Sequence, residues 1–111
     1  MELLEAETRE DRGWTVVTVR GQLDVATAPR ARQLLVEAQY GGSTDVLVDL
    51  DGVEFLDSFG LGVLVGALRR ARTHDTRFVL VCSRERLLHL LEVSRLAEIV
   101  PIVADAEVVL A

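Results

Sequence analysis

Short apolar strands alternate with helix-forming segments along this 111-residue chain, and the alternation limits the folds open to it. Residues 3–9 and 14–20 predict two strands joined by a short turn, and therefore an antiparallel hairpin. Residues 45–50, 78–81 and 101–103 predict three further strands, each reached through a helical segment. Helical connections of this kind favour parallel strands. We therefore expect one α/β domain with a mixed, mostly parallel sheet in the order ββαβαβαβα.

Local signals predict where these elements begin and end. Residues 21–24 (Gly-Gln-Leu-Asp) are expected to break the second strand. The hydroxyl of Thr27, close before a proline, predicts the start of the first helix, and Gly41-Gly42 predicts its end. Ser83 and Asp105 are expected to cap the third and the last helix. Each helix would then follow a strand, as the alternating order requires.

Composition limits the class of protein. Half of the residues are hydrophobic, which is enough for the core of one domain, and the formal net charge is −6. An acidic chain is a poor candidate for binding nucleic acid or an anionic membrane, and no apolar run has the length of a membrane span. Residues 1–5 have no signal-peptide character, and the single Cys82 excludes an internal disulfide. We expect a soluble, cytoplasmic protein with no direct nucleic-acid or membrane partner.

Ser58 lies where a predicted strand meets a predicted helix. The apolar strand over 46–50 precedes it, and an apolar helix over 61–72 follows it. The first backbone N–H groups of a helix have no partner inside the helix, and the helix dipole favours negative charge there. The serine could therefore serve as a helix cap, as a nucleophile or as an acceptor of phosphate.

The helix after this serine has two unlike faces at 3.6 residues per turn. One face is apolar and is expected to pack on the sheet: Leu61, Leu64, Val65, Leu68 and Ala71. The opposite face, expected to be exposed, carries Ser58, Phe59, Gly62, Val63, Gly66, Arg69 and Arg70. Each of the two glycines costs about 1 kcal/mol of helix stability relative to alanine. Either they let another segment of the chain pack closely, or this face is a docking surface for a protein.

The residues around Ser58 resemble a known signature. Asp57-Ser58-Phe59-Gly60-Leu61, after the strand over 46–49, is similar to the phosphorylation-site signature of anti-sigma factor antagonists of the STAS domain family. Gly21-Gln22-Leu23-Asp24, followed by Thr27-Ala28-Pro29, resembles the second marker of that family. The order of strands and helices fits along nearly the whole chain. The resemblance thus implies a single STAS-like domain over residues 1–111.

The resemblance implies a regulatory binding protein and not an enzyme, with no cofactor, metal or catalytic residue. The unphosphorylated form would bind an anti-sigma factor that is also a serine kinase and would so free the sigma factor. Phosphorylation of Ser58 would block this binding, and a phosphoserine phosphatase would reverse the modification. The partner-binding residues that the resemblance and the exposed helix face imply are Asp24, Asp57, Ser58, Phe59, Gly60, Gly62, Val63, Gly66 and Arg70. The two aspartates would flank the phosphorylated serine if their loops converge.

The chain departs from the family pattern in two places. Phe59 stands where a second hydroxyl is common, so two-site phosphorylation is not expected, and Arg95 precedes Leu96 where glycine is more usual. Two other functions stay open: a free-standing STAS subunit of a transport or other regulatory assembly, and a small enzyme that uses Ser58. The enzyme is disfavoured because Leu56 replaces the first glycine of a nucleophile elbow.

Overall fold

A computed structural model describes residues 3–41 and 45–111 of the chain. The strands are β1 (Leu4–Asp11), β2 (Trp14–Leu23), β3 (Val46–Leu56), β4 (Phe78–Val81) and β5 (Ile102–Val103). The helices are α1 (Ala28–Tyr40), α2 (Ser58–Thr73), α3 (Glu85–Val93) and α4 (Glu107–Leu110), with a 3₁₀ turn at Leu96–Glu98. The predicted order ββαβαβαβα is therefore confirmed. Gly41 follows α1 as predicted, whereas Gly42 lies outside the described residues.

One sheet contains all five strands in their sequence order, and only β1 is antiparallel to its neighbour. Because each crossover moves one strand further in the same direction, right-handed connections place α1, α2 and α3 on the same face. These helices and that face enclose the larger core, which contains Val48, Leu64 and Leu91. The opposite face is covered by α4, whose Leu110 packs near Trp14. The strand order does not reverse, so the sheet has no central crevice of the nucleotide-binding kind.

The predicted break at residues 21–24 is wrong, because β2 continues to Leu23. The register shifts between Gly21 and Gln22, and pairing with β3 then resumes at Gln22 and Leu23. Gly21 has a φ of 98°, and a Cβ there would overlap the carbonyl oxygen of Leu3. A glycine thus allows a bulge at this point, and the strand carries the chain on toward α1.

The third strand is also longer than predicted, since β3 extends from Val46 to Leu56. Asp51 holds this extension beside the end of β4, because its carboxylate accepts hydrogen bonds from the Ser83 amide (2.7 Å) and hydroxyl (2.9 Å). The Ser83 hydroxyl therefore does not cap α3, which begins at Glu85. The N-cap of α4 is Ala106 and not the predicted Asp105, although Asp105 Oδ1 accepts a hydrogen bond from the amide of Glu107 at the start of that helix (3.0 Å).

Arg95 adopts the left-handed backbone conformation, with a φ of 68°. This is the position at which the family pattern favours glycine, and a side chain is disfavoured there by contact with the backbone.

Across the described ranges, we find no helix with the length and apolarity needed to cross a lipid bilayer.

Candidate phosphorylation and docking site

Asp57 caps the N-terminus of α2. Its Oδ1 accepts hydrogen bonds from the amides of Phe59 (2.9 Å) and Gly60 (3.0 Å). Ser58 is therefore the first helical residue and not the cap, and two of the N–H groups expected to be free are occupied. A phosphate on Ser58 would stand beside a carboxylate that already holds these amides, and would extend toward solvent.

The same carboxylate joins the loop before α1 to the start of α2. Asp57 Oδ2 accepts a hydrogen bond from the amide of Val25 (3.1 Å), and the Asp57 amide donates to the carbonyl oxygen of Leu23 (3.3 Å). The two loops thus converge, which is the condition under which Asp24 is expected to lie near a phosphate on Ser58. Asp24 and Asp57 lie in loops that are bonded to each other through their backbones.

Asp24 orders the loop before α1. Its Oδ1 accepts from the amides of Ala26 (3.0 Å) and Thr27 (3.1 Å). Thr27 is the N-cap residue of α1, but the prediction that its hydroxyl caps the helix is wrong, because this hydroxyl makes no capping hydrogen bond. Instead it donates to the carbonyl oxygen of Gln22 (2.8 Å) and accepts from the Asp24 amide (3.0 Å). This hydroxyl is thus used to fold the loop back on the end of β2.

Gly60 allows the first turn of α2 to approach β2. A Cβ at this position would overlap the carbonyl oxygen of Leu23 and would lie 2.7 Å from Cδ1 of Leu56. Gly60 is also buried. It therefore contributes little surface of its own, and it supports the site by letting two backbones meet.

An exposed apolar patch surrounds Ser58. Phe59 is 57% exposed and Val25 is 58% exposed, and Ser58 and Gly62 are exposed as well. Within the described ranges, no residue forms a hydrogen bond with the Ser58 hydroxyl. Beside the serine lies an open depression of about 490 Å³, lined by Val25, Ala28, Pro29, Arg32, Phe59, Gly62 and Val63.

The predicted division of α2 into two faces is partly wrong. Val63 was placed on the exposed face, but it is 8% exposed. The helix packs on α1 as well as on the sheet, so its buried surface turns toward Val63 and Ala67. Leu61 and Val65, which were expected to pack on the sheet, are only half-buried. The apolar side chains of α2 therefore pack on both α1 and the sheet. A projection of α2 alone cannot show which of these side chains pack on which neighbour.

Arg70 lies along α2 and does not extend freely into solvent. Its Nε donates to Oε1 of Gln39 on α1 (2.8 Å), and the Gln39 amide donates to the carbonyl oxygen of Ala67 (2.8 Å). Its Nη1 would lie 3.5 Å from a Cβ built on Gly66, which is an ordinary van der Waals contact, so the guanidinium does not require a glycine there. Burial, with repulsion from Arg32, lowers the pKa of Arg70.

Gly62 differs from both other glycines of α2. A Cβ built at Gly62 would have no atom of the chain within 4 Å. The chain's own packing thus does not require a glycine here, although glycine weakens a helix by about 1 kcal/mol relative to alanine. The missing side chain keeps the depression beside Ser58 open.

The surroundings of Ser58 do not suit nucleophilic catalysis. His74 follows the C-terminal end of α2, about 24 Å along the helix axis from Ser58. His89 is exposed on α3. Nor do the described residues contain a group of three or more metal-binding side chains. The geometry instead presents an unbonded hydroxyl on a fixed backbone, within an apolar surface.

Comparison with known proteins agrees with this arrangement. The model of the STAS domain matches residues 5–108. The anti-sigma-B factor antagonist of Staphylococcus aureus is 30% identical over 105 residues, covering 95% of this chain and 97% of that protein.

Two solved structures share the fold. An anti-sigma-factor antagonist (STAS) domain protein from Planctomyces limnophilus has a TM-score of 0.81 at 21% identity, covering 95% of this chain and 94% of that one. The Bacillus cell fate determinant SpoIIAA, in its phosphorylated form, has a TM-score of 0.70 at 20% identity, covering 95% and 96%. Since sequence and fold agree over nearly its whole length, the chain belongs to the STAS domain family.

Proposed function

We propose that this chain is an anti-sigma factor antagonist, which acts by binding and not as an enzyme. Its unphosphorylated form binds an anti-sigma factor that is also a serine kinase, and so frees a sigma factor. Phosphorylation of Ser58 blocks this binding, and a phosphoserine phosphatase reverses it. The name of the Staphylococcus aureus relative supports the role. The phosphorylated form of the Bacillus protein, which has the same fold, is consistent with the modification.

One observation carries the proposal: Ser58 offers an exposed, unbonded hydroxyl on a backbone that Asp57 holds in place. A kinase can reach an exposed acceptor oxygen without unfolding of the chain around it. Thr27 and Ser83 have their hydroxyls bonded within the chain, to Gln22 and Asp51 respectively. Ser58 is therefore the better acceptor of these three hydroxyls.

In this proposal the partner contacts the surface around Ser58. Phe59 and Gly62 offer exposed surface, while Asp24 and Asp57 order the two loops beneath it. The other proposed binding residues support this surface from within: Gly60, Val63, Gly66 and Arg70. The apolar patch suits a protein partner, since exposed aromatic and aliphatic side chains are typical of interface centres.

A phosphate on Ser58 would block this surface directly. A phosphoserine carries about −1.5 to −2 charge at neutral pH. It would add this charge next to the carboxylate of Asp57 without displacing any hydrogen bond of the described chain. A docking partner would then have to desolvate both groups, which is costly. The fold need not change for the switch to act.

The chemistry of the switch takes place on the partners. The kinase transfers the γ-phosphoryl group of ATP to Ser58 Oγ, a base of the kinase takes the hydroxyl proton, and ADP leaves. The phosphatase cleaves the phosphate ester with water, which restores the hydroxyl and releases inorganic phosphate. This chain contributes only the positioned oxygen.

A kinase assay with purified proteins tests the proposal. The chain is incubated with ATP and each serine-kinase anti-sigma factor of its host, and phosphopeptides are mapped. We expect one modified site, Ser58, which is lost in Ser58→Ala and kept in the control Thr73→Ala at the other end of α2. A main site on Thr27 or Ser83 would contradict the assignment.

A further inference from the structure

Three arginines without a carboxylate partner lie on α1 and α2, although the chain as a whole has a net charge of −6. Arg32 on α1 and Arg69 and Arg70 on α2 have no carboxylate within 4 Å among residues 3–41 and 45–111. Most other described arginines contact a carboxylate or a backbone carbonyl, as Arg77 and Arg84 do. Among the described residues, Arg32 on α1 and Arg69 on α2 thus have no hydrogen-bond or ion-pair partner, and Arg86 on α3 has none either.

One of these arginines lines the depression beside Ser58, and Arg69 lies further along the side of α2 that carries Gly62. Arg32 lines it directly, together with Phe59 and Gly62. Arg69 follows Gly62 by seven residues, so it lies two turns further along the same side of α2, and it is exposed. The depression thus has an apolar end at Phe59 and a cationic flank.

Like charges that face each other without counter-ions are unfavourable. Burial lowers the pKa of Arg70, and repulsion from Arg32 lowers it further. Arg70 also keeps one buried nitrogen, Nη2, without a hydrogen-bond partner in the described chain. Carboxylates supplied from outside would relieve this repulsion, and a negatively charged surface would be attracted to the groove.

We infer that the groove between α1 and α2 binds a carboxylate-bearing surface of the anti-sigma factor, with Arg32 and Arg69 as the contacting cations. This inference rests on the proposed function and adds the chemistry of the partner. A protein fits better than a nucleic acid, because the exposed Phe59 and Val25 adjoin the arginines and the chain as a whole is acidic.

The inference also explains why one phosphate suffices as a switch. Ser58 precedes Gly62 by four residues, or about 6 Å along the helix axis. A phosphate there would lie close to the depression that Arg32 lines, and would repel carboxylates of a partner docking on it. The positive arginines would thus attract the partner to this surface, and the negative phosphate would repel it from the same surface.

Charge reversal at the groove tests this chemistry. The wild type, Arg32→Glu/Arg69→Glu and the control Arg9→Glu/Arg95→Glu are titrated calorimetrically into the anti-sigma factor that phosphorylates the chain. The control carries the same change of net charge on surfaces away from the groove. Each titration is made at about 0.05 and 0.5 M NaCl, because salt screens attraction between exposed charges. Melting curves check that each variant folds, and Arg32→Gln/Arg69→Gln replaces the reversal if it does not.

For the wild type we expect Kd to rise about tenfold or more with salt. The groove variant should bind about tenfold or more weakly at low salt and lose most of the salt dependence, while the control stays within about threefold of the wild type. A groove variant that binds like the control would overturn the inference and leave the proposed function standing. The same proteins are titrated into a mixed-sequence DNA duplex. A groove variant that loses binding to this DNA but keeps its affinity for the anti-sigma factor would also overturn the inference. Failure of the wild type to bind any anti-sigma factor would instead overturn the proposed function, and the inference with it.

Discussion

The amide of Val25 donates a hydrogen bond of 3.1 Å to Oδ2 of Asp57, across the loops that precede α1 and α2. Because Oδ1 of the same carboxylate caps α2, one side chain fixes both the serine-bearing helix and the neighbouring loop. The exposed side chains of Val25 and Phe59 are thereby held on either side of one carboxylate. The surface around Ser58 is thus already ordered in the chain without a partner.

Replacing Asp57 should cost both stability and order at this site. Asp57→Ala removes the cap of α2 and the bond to Val25, so we expect a loss of about 2 kcal/mol or more in the free energy of unfolding. Urea denaturation measures this loss. Glu92→Ala, on the exposed side of α3, is the control and should change stability by less than about 0.5 kcal/mol. If the two substitutions changed the free energy of unfolding by the same amount, the hydrogen bonds of Asp57 would make no measurable contribution to stability.

Two glycines two residues apart in α2, Gly60 and Gly62, should respond in opposite ways to alanine. Gly60→Ala places a methyl group against Leu23 and Leu56, and should destabilise the fold by about 1–3 kcal/mol. Gly62→Ala enters open space, and should stabilise the fold by about 0.5–1 kcal/mol. Paired denaturation curves give both values. A stability loss in Gly62→Ala would mean that this glycine is needed inside the chain.

Ser58→Ala should leave the fold nearly unchanged. The Ser58 hydroxyl has no hydrogen-bond partner in the described chain and Asp57 provides the cap, so the change in the free energy of unfolding should be within about 0.5 kcal/mol. Thermal and urea unfolding test this expectation. A large loss would assign Ser58 a structural role that the hydrogen-bond pattern does not contain.

Because of Cys82, the free energy of unfolding should decrease as the pH rises through the alkaline range. Burial raises the pKa of its thiol, so the unfolded chain releases this proton at lower pH than the folded protein does. The stabilising contribution is thus complete below the unfolded pKa of about 8.5 and declines as pH rises above it. Between about pH 8 and pH 10, the wild type should therefore lose more stability than Cys82→Ala. Parallel curves for the two proteins would contradict this expectation.

The order of the elements could be predicted because local patterns agree with the fold. Residues 78–81 are apolar without interruption and form β4 within the predicted bounds. The ends of β2 and β3 could not be predicted, because their pairing depends on distant contacts. Gly21 continues β2 by taking a left-handed φ, and Asp51 extends β3 by bonding to Ser83, 32 residues away.

The position of the candidate site could be predicted from the sequence, but the hydrogen bonds and packing contacts that support it could not. The signature led to Ser58 and Asp57, but not to Asp57 as the cap of α2, since both residues are good N-caps. The burial of Val63 depends on α1, which a projection of α2 alone does not include. The projection of α2 places Arg69 on the face of Ser58, but it could not show that Arg32 of α1 lies beside Phe59, because that depends on how the two helices pack.

The most direct test of the account compares one protein in two states of modification. The chain is phosphorylated to completion on Ser58, and both forms are titrated into the same anti-sigma factor. Repulsion between like charges at an interface costs several kcal/mol, so we expect the phosphorylated form to bind about a hundredfold or more weakly. Removal of the phosphate should restore the original Kd. Equal affinities of the two forms would contradict the claim that Ser58 is the switch.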